Sequence, residues 1–142
     1  MPIALTIDDE LPAAPVVGNW NGDTPLTNSL TLTADWTVSA DPNVSNQTVF
    51  FYTNDPTCAG AAITQNVIGN VTFTEPFTGV NGASYNYQVS ATDDAGNESA
   101  LTACSPTITV DTIAPIDATG LDWNPSGTTN VCLLYTSPSP RD

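Results

Sequence analysis

The stretch "SYNYQVSAT", Ser84 to Thr92, alternates without a break: Tyr85, Tyr87, Val89 and Ala91 are apolar, and Asn86, Gln88 and Ser90 between them are polar. Successive side chains of an extended chain point to opposite faces, so this alternation specifies a strand with one face buried and one in water. A helix would scatter the same residues around its circumference. The pattern recurs in "SLTLTADWTV", which puts Leu30, Leu32, Ala34, Trp36 and Val38 on one face. "QTVFFYT" (47–53) reads as a strand apolar on both faces. "NVTFTEPF" (70–77) is a third strand, which Pro76 confines to a sheet edge or ends. "SPTITVD" (105–111) is the last, with Ile108 and Val110 inward. The turn-forming clusters "NWNGD", "ADPN", "NDPT", "VNGAS" and "DDAGN" separate these runs, and no segment carries a helical period. Short strands punctuated in this way predict an all-β fold, a two-sheet antiparallel sandwich.

Charge removes most function classes. Of 142 residues, 15 are acidic and one is Arg; Lys and His are absent, and the net charge is −14. A chain without a basic patch cannot neutralise phosphates, so nucleic-acid binding is not expected. Attraction to anionic lipid is excluded on the same ground, and no apolar run is long enough for membrane insertion. Without His or Lys there is no triad, no imidazole zinc ligand and no Schiff base. Paired carboxylates can act as a glycosidase acid and base. Here, however, the acids fall in turns and linkers rather than in a cleft. No catalytic residue and no organic cofactor is assigned, and the chain is expected not to be an enzyme.

The chain also repeats itself. "LTIDDELP" near the start matches "ITVDTIAP" late on, and the pairs Asp8 and Asp111, Pro12 and Pro115, and Trp20 and Trp123 are each 103 residues apart. A period near 100 residues is that of a whole immunoglobulin-sized sandwich. Residues 1–10 are therefore read as the last strand of a preceding repeat, 11–111 as a complete domain and 112–131 as the opening of a following one. The tail "CLLYTSPSPRD" (132–142) carries the only Arg and resembles the translation of a transposase adapter used in DNA library preparation. It is set apart as foreign to the fold.

"GASYNYQVSATDDAGNES" resembles the penultimate strand and following turn of fibronectin type III and related bacterial Ig-like repeats. In those, a Gly and a Tyr precede alternating apolar residues ending in Ala, then Asp-x-Ala-Gly-Asn-x-Ser. "DTIAP" resembles the junction between tandem copies in bacterial surface proteins. The resemblance covers about residues 5–130 once the partial copies are included. It implies an immunoglobulin-like, fibronectin type III-like sandwich with Trp36 as the core tryptophan of its second strand. Tyr85 would be the tyrosine-corner residue, its hydroxyl bonded back to nearby backbone, with Tyr87 inward beside it. The function implied is that of a non-catalytic spacer or stalk repeat of a bacterial extracellular or cell-surface, adhesin-like protein. Its partners would be the neighbouring repeats of the same chain, with no external ligand assigned. The alternative is a carbohydrate- or protein-binding accessory module of a secreted multidomain hydrolase, which an exposed aromatic strip would favour. Trp20 and Trp123 could be sugar-stacking platforms in that case; packing at the domain junction is the reading preferred here.

Once the tail is set aside, Cys58 and Cys104 are the native cysteines. Cys58 sits in the loop "NDPTCAG", and Cys104 is placed on the last strand. Paired cysteines at these two places occur in similar bacterial repeats, so the resemblance implies a disulfide. Such a bridge would close a loop of about 46 residues, worth roughly 4 kcal/mol in the chain-entropy model. Two free buried thiols are the alternative.

"ATDDAGNESA" (91–100) admits two readings. As a turn, Asp93 opens it and bonds backbone two residues on, Gly96 and Asn97 accept the left-handed conformation, and Ser99 opens the next strand. As a calcium site, Asp93, Asp94, Asn97 and Glu98 supply some of the six to eight hard oxygens this ion takes, although their spacing is not that of an EF-hand loop. A second candidate set is the junction. There Asp8, Asp9 and Glu10, with Asp111 in the equivalent place one copy on, could share a calcium ion between domains and stiffen the hinge. The alternative is a solvated acidic linker, the preferred reading. Calcium is the one cofactor considered.

Overall fold

The computed structural model describes residues 7–21 and 25–116. The tail 132–142, most of the following-repeat opening and Trp123 lie outside the described residues. Eight strands follow in order: β1 (Val16–Trp20), β2 (Leu26–Thr27), β3 (Thr31–Thr37), β4 (Val44–Thr53), β5 (Thr64–Gly69), β6 (Thr74–Thr78), β7 (Ser84–Asp93) and β8 (Ile108–Val110). They form a three-stranded sheet, β1-β3-β6, and a five-stranded sheet, β2-β8-β7-β4-β5. Neighbouring strands run antiparallel except β2 and β8, which are parallel. The fold is an immunoglobulin-like, fibronectin type III-like sandwich.

The inward sets follow from alternation. Leu32, Ala34 and Trp36 of β3 meet Val49 and Phe51 of β4, Tyr85, Tyr87 and Val89 of β7, and Ile108 and Val110 of β8. Leu30 and Val38 do not belong to the inward set of β3, because they lie beyond its ends; Leu30 is 46% exposed. Tyr87 lies at the centre, edge-on to Trp20 at 5.0 Å, while Phe51 stacks on Phe77 at 4.6 Å. Such ring pairs add to the burial of apolar area. The Tyr87 hydroxyl crosses to the other sheet and donates to the carbonyls of Asp35 and Asn19. Burial, with Asp35 nearby, pushes this phenol well above its ordinary range.

Trp20 corrects both sequence readings. It is 3% exposed in the core of its own sandwich, with its Nε1 donating to Pro106 O at 3.0 Å, so it is neither a junction residue nor a platform for sugars. The signal "NWNGD" was read as a turn, but Asn19 and Trp20 complete β1, which carries a bulge between Val17 and Trp20. Gly18 permits that bulge. A Cβ there would lie 2.8 Å from Asp35 O and overlap the Asp35 carboxylate, which accepts the N–H of Asn19.

The expected strand 70–77 is two different things. Thr72 N bonds Gly69 O in a turn, and β6 begins only at Thr74. Pro76 sits in β6, an edge strand paired only with β3, where its missing N–H costs no ladder bond. The sequence reading assigned no strand to β5, whose Val67 is 70% exposed at the other sheet's edge and whose alternation is weak.

The outer face of β7 differs most from expectation. Asn86 and Ser90 were expected in water; both are fully buried. Nor does Ser99 open a strand or Cys104 lie on one, because residues 98–107 run irregularly over and alongside β7. Ser99, Thr102 and Ser105 recur every third residue. Their N–H groups bond the carbonyls of Ala91, Val89 and Tyr87, and their hydroxyls accept the N–H groups of the same three residues. Each hydroxyl then donates to the carbonyl of the residue after its own. Three residues of the cover thus match two of the strand, or about 6.7 Å. This satisfies a row of backbone groups that would otherwise be bare. Asn86 Nδ2 completes the cover, donating to Ser105 O at 2.7 Å.

Candidate functional site

β7 ends in the turn that the sequence singled out. Asp93 N donates to Asn97 O, and Gly96 N donates to Asp93 O at 3.2 Å. Gly96 takes φ +92°, a region that strains any side-chain-bearing residue. Asn97 does not share that conformation, contrary to expectation. The Asp93 carboxylate also acts differently. It reaches four residues on, accepting Asn97 N at 2.8 Å on Oδ1 and Asn97 Nδ2 at 2.9 Å on Oδ2. Burial works to raise the Asp93 carboxyl, but the hydrogen bonds from Asn97, with those from the backbone of Ala95 and Gly96, together outweigh it and hold the group below the usual carboxylate range.

Asn97 also reaches outward. Its Nδ2 donates to Asp8 O at 3.0 Å and Glu10 O at 3.2 Å, so one amide ties the turn to the entering chain. Asp8 bends that segment by accepting Glu10 N on its Oδ1 at 3.2 Å. Further along, Pro12 and Pro15 are buried, and Ser39 Oγ donates to Ala13 O at 2.6 Å. The entering chain is therefore held at several points rather than only at its strand.

The candidate calcium ligands do not share one focus. Both oxygens of Asp93 are engaged by Asn97, and Asp94 is exposed. Glu98 turns to the outer face of β7, where its Oε1 accepts Ser90 Oγ at 2.6 Å. Asp9 and Glu10 are exposed beside Asp8. Asp111 lies at the other end of β7, next to Gly82 and Asn81, and its Oδ1 accepts Ile113 N at 3.0 Å. Among the described residues, no three His, Cys, Asp or Glu side chains are grouped to hold a metal.

The structural residues occupy defined places. Trp36 is buried with its Nε1 on Gln47 Oε1. Tyr85 Oη accepts the N–H of Val80, five residues upstream, at 2.9 Å. Cys58 and Cys104 form a disulfide with Cα atoms 5.6 Å apart, tying the loop after β4 to the cover over β7. Asp55 organises that loop, accepting Gly60 N and both donors of Thr57, which lowers its pKa.

A shallow, open depression of about 480 Å³ is lined by residues including Phe50, Tyr52, Ile63 and Leu101. The hydroxyl of its Tyr52 is already paired. Tyr52 Oη donates to Gln88 Oε1 at 2.9 Å, and Gln88 Nε2 donates to Thr102 O at 2.8 Å. Sequence reasoning did not find Gln47 or the hydroxyls of Ser99, Thr102 and Ser105. The visible signal for the latter was their spacing of three in "ESALTACSPT".

No family model matches the chain, and no curated protein does. Among solved structures, one described as "Myokine structure" superposes with a TM-score of 0.52 at 16% identity, covering 70% of this chain and 98% of that one. That likeness is one of fold, and a fold shared this widely assigns no activity by itself.

Proposed function

We propose that the chain is a non-catalytic structural spacer repeat of a bacterial extracellular or cell-surface protein. The observation that carries this reading is the placement of entry and exit. The chain enters at the 93–97 turn, where Asn97 holds Asp8 and Glu10, and leaves at Asp111, beside Asn81 and Gly82. These points flank the two ends of the ten-residue β7, about 30 Å apart. Copies joined through them add length along one axis.

The parallel pairing of β2 and β8 supports the same reading. Thr109 N bonds Pro25 O and Asp111 N bonds Thr27 O, each at 2.8 Å. Tension between entry and exit pulls these strands past one another, so the bonds are loaded together in shear rather than opened singly. The disulfide suits an oxidising, extracellular setting.

The rival reading, a carbohydrate-binding module, would use the depression at Phe50 and Tyr52. The self-paired Tyr52 and Gln88 favour the spacer. The test is a glycan array on the full chain, with thermal melts in calcium and in chelator. The spacer reading expects no retained glycan and coincident melts. Micromolar glycan binding overturns it in favour of the binding module. A calcium shift of several degrees, that of an ion at a hundred times its dissociation constant, overturns the passive form of the spacer.

A further inference from the structure

Two sequence features have so far stood apart: the turn "DDAGN" and the junction "DTIAP". The structure brings their counterparts into contact. The segment gripped by Asn97 is "DDELP" (8–12), and 103 residues on its equivalent is "DTIAP" (111–115). We infer that Asp93–Asn97 is the socket of an inter-repeat joint, and that Asp111–Ile113 is the matching plug, built to be gripped by the Asn97 of a following copy. This deepens the spacer reading and rests on it.

Three observations support the joint. First, Asp8 and Asp111 make the same local bend: Asp8 Oδ1 accepts Glu10 N at 3.2 Å, and Asp111 Oδ1 accepts Ile113 N at 3.0 Å. In the first case that bend presents the carbonyls of residues 8 and 10 to one amide. The same bend at the exit equips Asp111 and Ile113 to do so. Second, residues 111–113 are exposed where they leave the sandwich. The exit is itself anchored, since Thr112 N donates to Asn81 Oδ1 at 2.7 Å. Third, socket and plug lie at opposite ends of β7, so one copy can fill the next without the two sites competing.

Asn suits the socket. A single Nδ2 carries two hydrogens and serves Asp93 Oδ2 on one side and the entering carbonyls on the other. Asp at the same position would offer only acceptors and would repel all of them.

Two experiments test the joint. In the full chain, ¹⁵N relaxation of residues 8–10 should give order parameters near those of the strands, about 0.85, falling below about 0.6 in Asn97→Ala. The backbone bonds of the turn do not involve the lost amide, so the sandwich should persist. Asn97→Asp is the second variant and should free the same segment. The second experiment inserts a further copy of residues 11–113 after Ile113, so that Asp111–Ile113 of the first copy takes the place that Asp8–Glu10 hold before the first sandwich. Residual dipolar couplings should then report one alignment tensor for both sandwiches, and two when the second copy carries Asn97→Ala. Two tensors in the unsubstituted tandem, or an Asn97→Ala without effect, overturns the inference. That failure would leave a flexible spacer, whereas a glycan hit would remove the spacer and leave the joint.

Discussion

Trp36 donates its indole N–H to Gln47 Oε1 at 3.1 Å, with both side chains out of water. Gln47 in turn gives its Nε2 to the carbonyls of Gly69, Asn70 and Thr72, at 3.0 to 3.4 Å. One buried amide thus joins a core ring to the turn that carries the chain from one sheet to the other.

Removing it should be costly. Gln47→Ala leaves the Trp36 N–H without a partner and frees the turn, an expected loss of about 2–4 kcal/mol. In a domain of this size that lowers Tm by roughly 10 °C or more. Gln47→Glu should also become worse as pH rises. Burial raises the folded pKa of the new acid above its unfolded value of about 4.3, so its penalty is absent below that pH and grows above it. Thermal melts from pH 4 to 8 check both.

The bridge between Cys58 and Cys104 spans a sequence separation of 46 residues. Replacing both with Ala should cost about 4 kcal/mol, read by denaturant unfolding. Cys58 also sits at φ +52°. Cys58→Gly with Cys104→Ala should therefore lose about 0.5–1 kcal/mol less than the double Ala variant, because Gly takes that conformation without strain.

Two glycines separate two kinds of constraint. At Gly96 a Cβ meets nothing within 4 Å, so Gly96→Ala is penalised only by its φ of +92°, about 1 kcal/mol. At Gly18 the new Cβ would press on Asp35 O at 2.8 Å. Gly18→Ala should cost more, about 2–3 kcal/mol, and loosen β1 from β3. Comparative melts, with amide exchange in β1, test the order.

Hydrogen bonds to Asp93 hold its carboxyl below the unfolded value near 3.9. A depressed carboxyl contributes stability that is full above the unfolded pKa and is lost as pH falls through the folded one. Stability should therefore be flat from pH 7 to 5 and fall below about pH 4. Asn97→Ala removes one source of the depression, so the loss of stability on acidification should be smaller in that variant.

The inward faces of β3 and β7 were legible because each alternates over at least five residues, and hydrophobic period is the strongest local signal. β4, apolar on both faces in sequence, was legible as a strand but not as to which face is inward. β5 was not legible, because at an edge it has little to bury. The burial of Asn86 and Ser90 was not legible either. Their polarity is real, but it is satisfied by residues 98–107, whose three-residue spacing matches neither helix nor strand. Trp20 was misplaced because a bulge at Gly18 turns a turn-like sequence into a strand. In the turn, Gly96 could be read from its neighbours, whereas the grip of Asn97 on Asp8 and Glu10 spans almost ninety residues and has no local signal.

The central claim is that this sandwich transmits tension between its entry and exit. Single-molecule pulling of the full chain, gripped at Asp8 and Asp111, should load β2 against β8 in shear and give one cooperative rupture. Gripping at Val67 and Asp111 instead should peel β5 from β4 and open the fold at a lower force. Reducing the Cys58–Cys104 bridge should lengthen the released chain by about 46 residues, or roughly 160 Å. Rupture along the entry–exit axis at a force equal to or below that across β5 would contradict the account.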